Sequence, residues 1–215
     1  IGATHTHSAP DAYAFPDMQG EHHADLDYLD RVCTLIAEAI DEAADNLQPA
    51  ALRLAMGEVE GKIAYNYYAP QLWDPQAGVM QFVPAGGGTP IATLLNFAIH
   101  PEVLGESVGL LSPDLCGPLY ERIEAETGGM AMFMNGALGG MITADNRTES
   151  GRSERTWEEC VRIGTALADE TLRILDENAI EVANPTLRVA AEEVVFKVDS
   201  KMIQAIVENS PLGVE

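Results

Sequence analysis

Five histidines occur among the 215 residues, and the spacing of three of them suggests chemistry. Two lie in the run Thr4-His5-Thr6-His7-Ser8-Ala9-Pro10. In an extended chain, residues two apart face the same side, so His5 and His7 are expected to share a face. Two imidazoles on one face begin a metal site, or set a ligand beside a polar substrate contact. Two unconnected loop histidines are the plainer alternative. The third, His100, closes the apolar run Ile91–Ile99 and precedes Pro101. The end of a central strand is where α/β sheets carry functional groups, although a histidine there can also simply bond a carbonyl. His22 and His23 are adjacent, so they point to opposite sides of an extended backbone and read as surface loop.

A second run, Met134-Asn135-Gly136-Ala137-Leu138-Gly139-Gly140-Met141-Ile142-Thr143, follows the short apolar stretch from Met130. A strand that empties into small residues lets backbone amides approach a ligand closely. A tight turn between core elements uses glycine equally well. Gly86-Gly87-Gly88 lacks the spacing of a phosphate-binding loop and reads as a hairpin turn.

Other segments must position these groups. From Leu26 to Leu47 apolar residues recur at three and four, which predicts an amphipathic helix stopped by Pro49. Residues 52–58 alternate as a strand, and a shorter strand is expected at 80–83. The apolar run 91–99 has the length of a strand buried on both faces. Ser112 and Pro113 predict an N-cap and first helical position, with the helix running to Glu126 and ending at Gly128-Gly129. Thr156 and Glu159 form a capping-box pattern before a helix to Asn178. Residues 186–198, with Leu187, Val189, Val194, Phe196 and Val198, read as a strand pair or one bent strand. Residues 200–209 read as a short helix. Strands and helices alternate without repeat or linker, which predicts a single α/β domain over 1–215, a central mixed sheet flanked by helices.

Composition narrows the possible partners. Aspartate and glutamate number 34 against 12 lysines and arginines, a net charge of −22. Such a surface repels nucleic acid and anionic membranes. No apolar run reaches the roughly 18 residues of a membrane helix. Cys33, Cys116 and Cys160 lack the CxxC spacing of a zinc ribbon, and Cys33 and Cys160 are expected as small core residues on helix faces.

Three of these segments together resemble the neutral/alkaline non-lysosomal ceramidases. Thr4 to Pro10 is similar to that family's THTHSGP signature. Asn96-Phe97-Ala98-Ile99-His100-Pro101, followed by Ser112-Pro113-Asp114, resembles its strand ending in a zinc histidine and its later Ser-x-Asp. Met134 to Gly140 stands where the family has its N-x-x-GD-V-S-P loop. The resemblance covers most of residues 1–145. It implies an α/β domain holding one catalytic Zn²⁺, with His5 and His100 as ligands. It makes His7 the catalytic group beside the metal, touching the substrate's polar head, and assigns Asn135, Gly136 and Asp114 to substrate binding. The family's remaining ligands, a glutamate and a tyrosine, come from motifs not found in this sequence. Two further departures stand out: Gly139-Gly140-Met141-Ile142 replaces the loop that carries the family serine, with Thr143 one residue later. Asn66-Tyr67-Tyr68 replaces an Asn-x-Arg.

The expected function is therefore zinc-dependent hydrolysis of an N-acyl, ceramide-like amide, on a small-molecule or lipid-like substrate, in a secreted or periplasmic protein. The chain begins with Ile inside a motif and is read as part of a longer domain. With two matched ligands it is expected to hold zinc weakly and to hydrolyse little on its own. The rival readings are a non-catalytic binding or scaffold domain of the same fold and a metal-dependent hydrolase of another ester or amide.

The excess of carboxylates has a direct consequence in solution. Self-repulsion weakens as salt screens it, so the melting temperature should rise between low and high ionic strength. A melting temperature indifferent to salt would show that the acidic surface carries no net folding penalty.

Overall fold

The computed structural model describes residues 2–13, 15–17, 19–105, 109–182, 185–195 and 197–209. In chain order the elements are α1 (Leu26–Asp45), β1 (Ala50–Glu58), β2 (Ala64–Asn66), β3 (Gln76–Pro84), β4 (Ala92–Phe97) and α2 (Cys116–Thr127). Then come β5 (Met130–Asn135), β6 (Ile142–Ala144), α3 (Trp157–Asn178), β7 (Ile180–Val182) and α4 (Lys201–Glu208). The chain falls into two compact units, one of residues 1–9 and 48–185, the other of residues 10–47 and 186–215.

The first unit is α/β, as the alternation of strand and helix patterns predicts. Its five-stranded mixed sheet has the order β5-β4-β3-β1-β7, while β2 and β6 form a small antiparallel pair. β3 and β4 are an antiparallel hairpin around the expected glycine turn, and β4 runs parallel to β5. Parallel neighbours need a crossover, and α2 supplies it. α2 and α3 pack on each other and on the sheet. The sheet residues beneath them are Val79, Leu95, Phe97 and Phe133, all buried. Two features make the packing close. A Cβ added at Gly164 of α3 would lie 2.3 Å from the Leu115 carbonyl oxygen, and one at Gly129 would lie 2.1 Å from that of Pro90. Only glycine allows either approach.

Polar groups under the helices are paired. Arg53 donates to Gln81 Oε1 at 2.7 Å, and Gln81 donates to the Thr93 hydroxyl at 3.0 Å. The three residues stand opposite one another on β1, β3 and β4, so one row of the sheet satisfies itself.

α3 starts where the capping pattern places it, Thr156 accepting from the Glu159 amide at 3.2 Å. Cys160, Ile163, Leu167, Thr171 and Ile174 mark its buried stripe. Burial pushes the Cys160 and Cys116 thiols up to about 12, which leaves both inert. Arg162 binds Glu159 through both carboxylate oxygens and also donates to the Lys62 and Asp145 carbonyls. Arg173 joins Glu170 to the Glu58 carbonyl.

Several expectations are corrected. α2 begins at Cys116, not at Pro113, because Asp114 adopts a left-handed φ of 52° that a helix cannot continue. Ser112 instead accepts from the Asp114 amide. β3 is nine residues long, since pairing along the whole of β1 extends it. The described part of 186–198 contains no strand, although Leu187, Val189 and Val195 are strongly exposed; Phe196 lies outside the described residues. β7 was missed because a three-residue strand has too few positions to show alternation.

In the second unit, Asp25 caps α1 by accepting from Tyr28 N at 2.9 Å, and Ser200 caps α4. α1 has no buried residue, so Cys33 is exposed and the expectation of a core position for it fails: periodicity shows a stripe but not what covers it. His23 pairs with Asp17 at 2.8 Å on the surface.

Hydrogen bonds from Arg162 hold Glu159 below the usual carboxylate range, and those from Arg173 do the same for Glu170, in both cases against the opposing effect of burial. A carboxylate with a depressed folded pKa stabilises the fold above its unfolded pKa, about 4.3, and that stability is lost as pH falls through the folded value. Urea stability should therefore drop on acidification, and Arg162→Ala should flatten part of the slope. An unchanged slope in that variant would remove Glu159 from the acid response.

Candidate metal centre

β4 and β5 end at the same edge because they are parallel, and the site is built there. Asn135 closes β5. Its carboxamide donates to the Thr4 carbonyl at 2.7 Å and accepts from the Ile99 amide at 3.2 Å, while its own amide donates to the Ala3 carbonyl at 3.3 Å. One side chain thus ties the N-terminal run to the end of β4. Gly136 follows, donating to the Phe97 carbonyl at 2.9 Å. A Cβ there would meet the Ala98 nitrogen at 3.1 Å, so the loop passes tightly over the strand end. Farther along, the His7 amide donates to the Pro101 carbonyl at 3.0 Å, and Ser8 accepts from Ser112 N at 2.9 Å.

The N-terminal run is not the extended strand expected of it. His5 has φ 64°, in the left-handed region. The imidazoles nevertheless converge. His5 Nε2 and His7 Nε2 are 3.3 Å apart. The ring centroids of His5 and His100 are 4.9 Å apart, and those of His7 and His100 are 5.4 Å apart. One nitrogen from each of the three rings lies within 4.8 Å of the other two. His5 and His100 are 95 positions apart in sequence, so only the fold brings them together.

Each ring has a distinct setting. His100 is buried at 8% exposure, and its Nδ1 faces the Ile142 carbonyl in hydrogen-bond contact. His7 Nδ1 lies 3.3 Å from Glu102 Oε2. The other oxygen of Glu102 accepts from the Thr143 hydroxyl at 2.6 Å. The pKa of His5 is lowered by burial, with further lowering from His100 and His7 against an opposing pull from Glu102. A neutral imidazole is the form that offers a lone pair to a metal.

His7 and His100 line a cavity of about 410 Å³, together with Glu102, Tyr65, Tyr67 and Thr143. Asn146 and Arg155 close another part of it. Tyr65 carries the Arg147 guanidinium 3.7 Å above its ring. Burial raises the Tyr65 phenol above its ordinary range, with Arg147 opposing, so the phenol keeps its proton. Asn135 lies outside this lining and borders a second hollow beside His5, Ala3 and Leu138.

Asp114 lies away from the cavity. It is fully buried, and its carboxylate accepts from Val103 N, Leu104 N and Leu115 N at 3.2, 3.0 and 2.8 Å. It anchors the segment after His100 through these three amides. Asn135 and Gly136 bond to backbone groups of the N-terminal run and the end of β4. Glu102, Tyr65 and Arg155 were missed from the sequence. The signal for Glu102 was available, since a carboxylate two residues beyond a candidate ligand can reach a neighbouring ring. Arg155 places a guanidinium on the cavity wall from a different segment than Asn66-Tyr67-Tyr68, where one was expected. Asn66 itself is buried, and its carboxamide is bonded to the Leu72 carbonyl and to the Tyr68 and Ala69 amides.

Two solved structures that share this fold are ceramidases. One is the crystal structure of neutral ceramidase from Pseudomonas aeruginosa, matched with a TM-score of 0.69 at 22% identity over 83% of this chain and 31% of the ceramidase. A ceramidase complexed with C2 matches with a TM-score of 0.68 at 22% identity, over the same shares of the two chains. The chain thus spans 31% of the length of these proteins, and at this identity the likeness is one of fold. No protein-family model and no curated protein matches the sequence.

Asn135→Ala removes the side-chain bond to the Thr4 carbonyl and leaves the Ile99 amide without its acceptor. Loss of such bonds costs about 1–3 kcal/mol. The expected readout is lower urea stability together with faster amide exchange at residues 4–8 and 99–100. Exchange unchanged at those residues would show that other contacts hold the run in place.

Proposed function

We propose that this chain carries the metal-binding part of a hydrolase that cleaves an N-acyl amide, ceramide-like in class. The observation behind the reading is the meeting of His5, His7 and His100 at the rim of a polar cavity, in a fold shared with neutral ceramidases. The donor set suits zinc. All three groups are imidazoles, and two of them have Nδ1 occupied by an oxygen, which leaves Nε2 for a borderline-soft ion. A zinc ion held there would polarise a carbonyl and acidify a water.

The remaining residues provide the environment. Glu102 and Thr143 hold His7 in place from one side. Tyr65 and Asn146 offer donors and acceptors along the cavity wall, and Arg155 adds a cation. Such a lining suits a substrate whose reacting end is polar. That character also favours a second reading, an amide or ester other than ceramide, because Ile142 and Tyr68 stand where the ceramidase resemblance calls for a serine and an arginine.

The test is hydrolysis of fluorogenic N-acyl amides of graded acyl length, with matched esters, by zinc-loaded protein. The expected result is slow, chelator-sensitive turnover of amides that His5→Ala and His100→Ala abolish. Turnover that survives His100→Ala or chelation would refute the metal site. A folded, zinc-loaded protein that hydrolyses none of the series would leave a binding domain as the reading.

A further inference from the structure

Beside the polar cavity lies another hollow, of about 450 Å³, walled by Leu104, Leu110, Leu111, Pro113 and Trp157. The two spaces adjoin. Arg155 lines both, and consecutive residues divide between them, Gly105 in the polar wall and Leu104 in the apolar one. We propose, resting on the N-acyl amide reading above, that this hollow receives the hydrocarbon chain of the substrate. Leu110, Leu111 and Trp157 are then the residues that select for it.

Three observations carry this. The first is the division of character between the two spaces. Small-molecule sites are walled mainly by apolar side chains, with a few polar groups that fix orientation. The cavity at the histidines is the reverse, since Glu102, Tyr65, Thr143, Asn146 and Arg155 give it a polar wall. It suits an amide and a polar head but gives a hydrocarbon chain little to bury against. The adjoining hollow supplies that surface. Its small polar members are engaged within the protein: the Ser112 hydroxyl accepts from the Asp114 amide at 2.9 Å, and the Thr156 hydroxyl accepts from the Glu159 amide at 3.2 Å. Second, its large apolar side chains stand in water. Leu110 is 58% exposed, Leu111 76% and Trp157 45%. Single exposed leucines are ordinary, whereas several around one concavity with a polar rim mark a binding site.

Third, these side chains are held in a set relation to the histidines. Ser112, next to Leu111, donates its amide to the Ser8 carbonyl at 2.9 Å, and its carbonyl accepts from the Thr6 hydroxyl at 3.3 Å. Both bonds tie the leucine segment to the run that carries His5 and His7. Trp157 opens α3 beside its N-cap, Thr156. Its indole reaches the first turn of α2, where a Cβ added at Gly117 would lie 3.8 Å from it. Gly105 makes room for Arg155 at the boundary, since a Cβ there would stand 2.8 Å from a guanidinium nitrogen. An amphipathic amide laid across Arg155 has its carbonyl toward the histidines and its chain over Leu110, Leu111 and Trp157.

The test is fluorescence quenching in the metal-free 215-residue chain, a reading that does not depend on turnover. The chain has two tryptophans, so Trp73→Phe leaves Trp157 as the single reporter. The probe is an N-acyl ethanolamide with a bromine at the end of a long chain, because bromine quenches indole only near contact. It is used below its critical micelle concentration. Saturable quenching is expected, reversed by the unbrominated long-chain amide and not by the N-acetyl one. Leu110→Asp and Leu111→Asp, both at exposed positions, should weaken binding by about 10-fold or more with the circular dichroism unchanged. Met56→Asp, in a separate apolar hollow of about 590 Å³ on the sheet, should leave binding as it is. If Trp73→Phe does not fold, the parent chain serves beside Trp157→Phe, in which the quenching must disappear. An unquenched Trp157, or binding lost in Met56→Asp and kept in Leu111→Asp, places the chain elsewhere and overturns the proposal. Quenching confined to probe above its critical micelle concentration overturns it too, in favour of contact with a lipid aggregate. Zinc-dependent hydrolysis of long-chain amides without quenching would sink this subsite alone. Quenching without hydrolysis by the zinc-loaded chain would keep the subsite and remove the hydrolase reading.

Discussion

The carboxamide of Asn135 is the joint on which the site depends. It sits at the end of β5, where the parallel pairing with β4 brings two strand ends to one edge of the sheet. From there it reaches the Thr4 carbonyl on one side and the Ile99 amide on the other. Without that joint the N-terminal run has no strand ladder of its own to hold it beside His100. A carboxamide serves because it donates and accepts at once, so both partners are satisfied by one residue. Gly136 completes the joint by letting the chain cross the strand end at backbone distance.

A second polar anchor, Asp114, works on the other side of His100. Its buried carboxylate gathers the amides of Val103, Leu104 and Leu115, none of which lies in a strand or helix. Such loops must find partners for their backbone groups, and here a single carboxylate supplies three. The left-handed φ of Asp114 and the late start of α2 are consequences of that closure. The loop between the two anchors carries His100 and Glu102. Position is therefore imposed on the candidate ligands by satisfied hydrogen bonds at their flanks.

The likeness to neutral ceramidases is one of fold, and the cavity beside the histidines is described by this chain's own residues. A guanidinium enters from Arg155, tyrosines line the wall near Arg147, and Thr143 turns its hydroxyl to Glu102 instead of standing free. The fold brings the histidines together at the strand ends, and loops supply the polar lining around them.

By itself the sequence determined the α/β class, the extents of α3 and most of α1, the hairpin between β3 and β4, and the histidines worth watching. These are local properties: periodicity, caps and strand-end residues depend on neighbours within a few positions. His5, His7 and His100 could be named as a group because their flanking residues resemble a known pattern. Their mutual geometry could not, because His5 and His100 meet through the pairing of β4 with β5, the reach of Asn135 and the bonds of the N-terminal run to Pro101 and Ser112. The tertiary structure alone decided that Asp114 anchors a loop, that Glu102 faces His7, and that α1 leaves Cys33 exposed. Each of these depends on which distant segment stands opposite, and a carboxylate reads the same in sequence whether it meets water, three amides or an imidazole.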